Sequence, residues 1–109
     1  MAITLRTTET DRNAEICGAL NQALAETVVV TMLAQNFHWN VAGANFSQLH
    51  QLFQEIYEDH FEAQDELAER IKALDGHADG HLGRILERST IAESRGEATD
   101  TEMLQALLR

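Results

Sequence analysis

The chain has 109 residues, 18 acidic and 8 basic, and a formal net charge of -10 at pH 7. This length suits one domain with a modest core, and the acidic balance argues against a general phosphate-binding surface and favours cations as ligands. The single cysteine excludes an internal disulfide. The sequence shows no pattern typical of a secretory leader, and we expect no apolar run of the ~20 residues that span a bilayer. We therefore expect a cytoplasmic helical protein with no membrane partner.

The first predicted helix runs from about Thr10 to Val41. Its apolar residues recur at steps of three and four, which predicts one buried stripe. The stripe consists of Ile16, Leu20, Ala23, Thr27, Val30, Ala34 and Phe37. We expect Cys17 to be a small buried hydrophobe. Gly43 should turn the chain after this helix, and Asn45 is positioned to cap the next one.

The second predicted helix runs from Phe46 to about Asp75, and Gly76 suits its C-terminal stop. One stripe of it reads as an ordinary core face: Leu49, Phe53, Ile56, His60, Ala63, Leu67, Ile71 and Leu74. Another stripe lies about a third of a turn away: His50, Gln54, Tyr57, Phe61, Asp65 and Ala68, with Glu69 at its edge. A helix with two such stripes is expected to bury against two different neighbours.

The remaining chain predicts a loop and two further helices. The segment DGHADGH (75–81) reads as a loop, so His77 and His81 are interpreted as loop residues. A short helix follows from Leu82 to Arg88. The run from Thr99 to Glu102 has the form of a capping box, so another helix begins there. These elements predict an all-α fold equal to about half of a four-helix bundle.

Four side chains could form a metal site. His38 ends the first helix, and His50, Asp65 and Glu69 lie on the second. Imidazole nitrogen combined with carboxylate oxygen suits Fe(II), Zn(II) or Mn(II) better than calcium or magnesium. Asp65 and Glu69 are four residues apart, so both carboxylates can hold one cation. An acidic pair at this spacing is also typical of a solvated helix face, so both interpretations stay open.

Helix geometry restricts how these residues could meet. His50 and Asp65 point the same way but lie about 22 Å apart on one helix, at ~1.5 Å rise per residue. Two copies packed antiparallel about a two-fold near Tyr57 and Glu58 would bring His50 opposite Asp65 of the partner. Such a contact would create two equivalent sites in a dimer. The Glu-x-x-His pair of di-iron bundles is absent from the sequence.

Three motifs in order and spacing resemble the Dps family of mini-ferritins. They are His38-Trp39-Asn40-Val41-Ala42-Gly43, the segment FSQLHQLF (46–53) and the segment DELAERI (65–71). The resemblance covers roughly residues 10–92. It implies a ferritin-like four-helix bundle that forms a hollow shell of twelve subunits. This chain would supply the first two long helices, the short connecting helix and the start of a third, as a single ferritin-like domain over residues 1–109.

The resemblance also implies an activity and its residues. His38 and His50 would bind iron from one subunit, and Asp65 and Glu69 from its two-fold neighbour, with zinc as a substitute ion. Trp39 would lie beside the iron as a one-electron donor. The family is a ferroxidase: it oxidises Fe(II), preferentially with hydrogen peroxide, and stores ferric mineral. This removes both reagents that produce hydroxyl radicals and so protects against oxidative damage.

The sequence departs from the family pattern in three places. Gln54 stands one turn after His50, where family members carry a carboxylate, which puts the second iron position in doubt. The N-terminal segment lacks the lysine-rich tail of DNA-binding members. The last two long helices of the family are missing from the given sequence, so we expect either a fragment of a longer chain or a bundle that a partner chain completes. Two alternative functions stay open: a DNA-coating oligomer, which the acidic balance disfavours, and a two-helix self-association module without iron chemistry.

Overall fold

The computed structural model describes residues 2–92 and 99–108, with side chains from residue 9 onward. All regular structure in these ranges is helical, which confirms the predicted all-α fold. The helices are α1 (Ala2–Asn40), α2 (Phe46–Ala73), α3 (Leu82–Arg88) and α4 (Asp100–Leu108). The short helix was predicted with the observed bounds. The first helix begins eight residues before the predicted start at Thr10.

Helices α1 and α2 form a hairpin with two apolar clusters, one towards each end. At the hairpin turn, Phe37 and Phe53 pack with their ring centroids 5.6 Å apart, and Met103 of α4 packs against the same cluster. Towards the open end, Cys17 and Leu24 of α1 pack against Ile71 of α2. The predicted core stripe of α2 is confirmed, because its members Leu49, Phe53 and Ile71 are buried.

The predicted stripe of α1 was wrong in part. Ile16, a member of the predicted stripe, is 47% exposed. Its neighbour Cys17 is buried, which confirms the separate prediction for that cysteine. Ala25 and Val29 are also buried, against Ile85 of α3. The physical reason is that α1 is apolar on several sides and contacts α2, α3 and α4. Spacing alone could not identify the sides on which those neighbours pack.

Two turns connect the long helices to the rest of the chain. Gly43 has φ +106°, in the left-handed region, which confirms its predicted role in the turn. Asn45 holds the N-cap position of α2, but its side chain makes no capping hydrogen bond. At the other end, the N–H groups of Asp75 and Gly76 donate to the carbonyls of Lys72 and Ile71. The left-handed residue there is Asp75 (φ 62°), and Gly76 follows it as the predicted stop of the helix.

Helix α4 begins with the predicted capping box. The Glu102 N–H donates to Thr99 Oγ1 at 3.2 Å, and the Thr99 N–H donates to a carboxylate oxygen of Glu102 at 3.2 Å. These two bonds satisfy two donors at the helix start. The Thr99 N–H and hydroxyl also lower the pKa of Glu102 by stabilising its carboxylate.

One stretch of α1, within Glu9–Asn40, is long and apolar enough by length and composition to cross a membrane. The expectation that no such run exists was therefore wrong, because Glu26 is the only acidic or basic residue other than histidine between positions 16 and 40. In the fold, this stretch contacts the other three helices, as the core helix of a bundle does.

Candidate metal centre

The α1–α2 hairpin brings His38 and His50 together. His38 lies in the last turn of α1 and His50 in the second turn of α2. Their rings are stacked, with centroids 3.7 Å apart and planes inclined by 19°. His38 is buried and His50 half-buried. Two histidines twelve positions apart in the chain therefore form one compact pair at the turn end of the bundle.

Reciprocal hydrogen bonds determine which ring nitrogens remain available. Nδ1–H of His38 donates to the His50 carbonyl at 2.7 Å, and Nδ1–H of His50 donates to the His38 carbonyl at 2.8 Å. A carbonyl can only accept, so both Nδ1 atoms carry the proton. In the neutral rings both Nε2 atoms then have a lone pair for a metal. The His38 carbonyl belongs to the last turn of α1, where helix carbonyls lack partners within the helix.

Aromatic side chains hold this histidine pair in place. The Phe46 ring stacks on His50 with centroids 4.9 Å apart, and Tyr57 meets His38 edge-on at 5.3 Å. The packing restricts rotation of both imidazoles, and a restricted ring loses less entropy when it binds a ligand. The arrangement can therefore supply two oriented imidazole nitrogens to one small cation.

The other residues predicted for the site lie at different places. Trp39 follows His38 and is 59% exposed. Gln54, one turn after His50, donates from Nε2 to Glu58 Oε1 at 2.8 Å. Asp65 and Glu69 are both exposed on α2, which is continuous, so Asp65 lies about 22 Å along the axis from His50. One chain thus brings the two histidines together but not the two carboxylates with them.

Two clefts are lined by residues of both α1 and α2. One, of about 670 Å³, is lined by Asp65 together with Phe61 and Leu82 among others. The second, of about 400 Å³, is lined by Tyr57 and Glu58 and again by Phe61. Phe61 is 66% exposed, an unusual position for a phenyl ring on a water-facing helix. The two clefts therefore combine apolar and acidic groups, with Phe61 shared by both.

A second cluster was not recognised in the sequence. His77, Asp79 and His81, interpreted above as loop residues, come together in the loop between α2 and α3. The hydrogen bond from His81, together with the nearby Arg84, lowers the pKa of Asp79 from 3.8 to about 2. The alternation of histidine and aspartate in HADGH was the available signal, but only the folded loop shows that these side chains meet.

The chain matches known proteins along most of its length. The family model of the ferritin-like domain matches residues 17–109. A "DNA protection during starvation protein" from Brevibacillus brevis is 37% identical over 89 residues, which are 82% of this chain and 60% of that protein. Another protein of that name, numbered 2, from Bacillus anthracis, is 34% identical over 97 residues, which are 89% of this chain and 66% of that protein.

Solved structures of Dps proteins are also similar to this chain. A Dps protein from Vibrio cholerae O1, described as a member of a broad superfamily of ferritin-like diiron-carboxylate proteins, has a TM-score of 0.86 and 33% identity over 91% of this chain and 62% of its own. Dps from Thermosynechococcus elongatus has a TM-score of 0.87 and 30% identity, over 93% of this chain and 64% of its own. The chain spans about 60% of the length of these relatives. Because the family model covers well over half of the chain, the chain belongs to the ferritin-like family, with Dps proteins as its relatives.

Proposed function

We propose that this protein oxidises Fe(II), with hydrogen peroxide or oxygen as the oxidant, and stores the ferric product in an oligomeric shell. The observation that carries the proposal is the pair His38 and His50, whose reciprocal hydrogen bonds leave both Nε2 atoms as metal donors. Imidazole nitrogens bind Fe(II) well at neutral pH. Membership of the ferritin-like family supports iron as the substrate ion.

The carboxylates of the site are proposed to come from a two-fold partner. Antiparallel pairing of two α2 helices, centred near Tyr57 and Glu58, would set His50 opposite the partner's Asp65 and bring its Glu69 within reach. The exposure of Phe61 and the cleft at the centre of this pairing support it, since both would be covered in the dimer. The two-fold gives two equivalent sites, each with two imidazoles and two carboxylates. By family likeness, twelve such subunits would form the shell.

The chemistry follows from these donors. Carboxylates stabilise Fe(III) more than Fe(II) because the higher charge binds hard oxygen more strongly. Two Fe(II) ions would give up one electron each to one hydrogen peroxide, so that its O–O bond breaks and, with two protons from solvent, two water molecules form. Trp39, next in the chain after His38, is proposed to donate one electron when a single iron is bound, which prevents release of a hydroxyl radical. Zn(II) would occupy the same donors without being oxidised.

A direct test compares rates of Fe(II) oxidation by peroxide. We expect the His38→Gln/His50→Gln variant to lose the activity. The matched control is His60→Gln, because His60 lies half-buried on α2 with Nδ1 bonded to the Ile56 carbonyl. This control should keep the wild-type rate. Equal rates in all three proteins would refute the assignment of the histidine pair, whereas no Fe(II) oxidation by the wild type would refute the proposed protective role in the cytoplasm.

A second candidate function is DNA coating, favoured by the names of two relatives, each called a DNA protection during starvation protein. The net charge of -10 opposes it, since binding to DNA rests on cationic contacts to phosphates. A gel shift at low salt decides between the two, and a retarded band would favour coating. A two-helix module without iron chemistry would instead show a small oligomer mass and no bound metal.

A further inference from the structure

The loop that joins α2 to α3 places three metal-binding side chains close together. One donor atom from each of His77, Asp79 and His81 lies within 4.8 Å of those of the other two. The two imidazole centroids are 6.3 Å apart. Both histidines are exposed, whereas the Asp79 carboxylate is only 2% exposed. The cluster therefore consists of two accessible imidazoles above one buried carboxylate.

The loop backbone is attached to α1 on both sides of Ala78. Nδ2–H of the buried Asn21 donates to the His77 carbonyl at 2.9 Å. Oδ1 of the same side chain accepts from the Asp79 N–H at 2.9 Å. Because one buried amide binds both residues, the two positions have a defined separation before any ligand arrives. A site with fixed backbone positions binds with less loss of entropy than a mobile loop.

The buried carboxylate also orients one imidazole. Nδ1–H of His81 donates to Asp79 Oδ1 at 2.9 Å, and the His81 N–H donates to the same oxygen at 3.3 Å. His81 therefore keeps its proton on Nδ1 and presents Nε2 as the free donor atom. A carboxylate that holds the rear nitrogen of a histidine in this way is the usual support of a metal-ligating imidazole.

We propose that His77 and His81 bind a divalent transition-metal cation of the Zn(II) class, with Asp79 holding the second ring, at a site separate from His38 and His50. Two imidazole nitrogens suit zinc and not calcium or magnesium, which prefer oxygen ligands. Bonds of about 2.0–2.1 Å place neighbouring ligand atoms of a tetrahedral site roughly 3.3 Å apart. His77 is exposed, so its ring has room to rotate towards Nε2 of His81 and reach this spacing.

Two arginines oppose the bound cation. Nη1 of Arg84 lies 3.4 Å from Asp79 Oδ2, and Nη1 of Arg88 lies 3.5 Å from the same atom. They occupy the carboxylate oxygen that faces away from the His81 bond, so they do not block the imidazoles. Their positive charge nevertheless repels a cation. The site should therefore bind more weakly than a closed structural zinc site, and removal of the exposed Arg84 charge should strengthen it.

The test uses Zn(II) itself, counted per chain by equilibrium dialysis of the full protein at neutral pH. We expect the His77→Gln/His81→Gln variant to lose about one ion per chain or to bind it at least about tenfold more weakly. Glutamine retains an N–H donor for Asp79, so the loop should remain folded, which circular dichroism checks. His60→Gln is the matched control and should bind as the wild type does. Unchanged stoichiometry and affinity in the loop variant would overturn the proposal.

A further variant keeps the result independent of the iron site. In protein that carries His38→Gln and His50→Gln, the loop ion should remain bound, since the two clusters share no residue. Adding Arg84→Gln to that background should tighten Zn(II) binding several-fold. Binding that is unchanged or weaker after Arg84→Gln would refute the site, whether or not the histidine pair oxidises iron.

Discussion

The contact between the end of α2 and the first part of α1 leads to a stability prediction for Gly76→Ala. A Cβ atom at Gly76 would lie 2.6 Å from Cys17 Sγ and 2.9 Å from Ile71 Cγ2. Both neighbours are buried, so neither can move away freely. Overpacking of this kind costs about 1–3 kcal/mol, and the lower entropy of an unfolded alanine offsets only ~0.4–1 kcal/mol of that. We expect a net loss of about 1–2 kcal/mol in the free energy of unfolding.

Urea denaturation followed by circular dichroism, at one fixed protein concentration, measures this loss. The matched control is Gly18→Ala in α1, where nothing lies within 4 Å of the added Cβ. That change should stabilise the protein by roughly 0.5–1 kcal/mol, because alanine is the better helix former. Adding Cys17→Ala to Gly76→Ala should recover part of the loss by removing Sγ. If Gly76→Ala is as stable as Gly18→Ala, the described contact is wrong.

Three further predictions concern individual side chains. Anaerobic titration with Fe(II) should show about one tight ion per site in the wild type. The Gln54→Glu variant should bind a second ion more strongly, because it restores a carboxylate ligand. Two tight ions of equal affinity in the wild type would contradict this prediction. Trp39→Phe should leave metal affinity unchanged while more hydroxyl radical is trapped during oxidation by peroxide, whereas a large loss of affinity would show a structural role. The carboxylate of Asp79 has a pKa lowered to about 2, so it stabilises the fold above pH ~4 and loses that effect as the pH falls towards 2. The difference in free energy of unfolding between wild type and Asp79→Asn, measured by urea denaturation, should therefore shrink over this range. A difference that stays constant with pH would refute the role of Asp79. The control is Asp59→Asn, which removes an exposed carboxylate on α2.

Local rules predicted those elements that depend on neighbouring residues. The capping box at Thr99 and Glu102 was correct because both of its hydrogen bonds lie within one turn. The core stripe of α2 was correct because the other sides of that helix are largely polar. On α1 the same rule failed at Ile16, since a helix that is apolar on several sides carries no signal about which neighbour it meets.

Features that depend on how two elements meet could not be predicted. The sequence motif indicated His38 and His50 as candidates, but their reciprocal bonds require the observed alignment of α1 with α2. Gly76 was expected to mark the C-terminal stop of α2, and nothing in the sequence indicated that it also allows close approach to Cys17. The cluster around Asp79 depends on the path of a loop that Asn21, far earlier in the chain, holds in place.

The proposal that each metal site is shared between two subunits is tested most directly by mixing two inactive variants under conditions in which the protein forms its oligomer. One variant carries His38→Ala and His50→Ala, and the other carries Asp65→Ala and Glu69→Ala. Each alone should lack ferroxidase activity, because every site loses half of its ligands. In a mixed dimer one site loses all four ligands and the other is intact, so random pairing should restore about a quarter of the wild-type rate. Mixed dimers that form without any recovered Fe(II) oxidation would contradict the shared site.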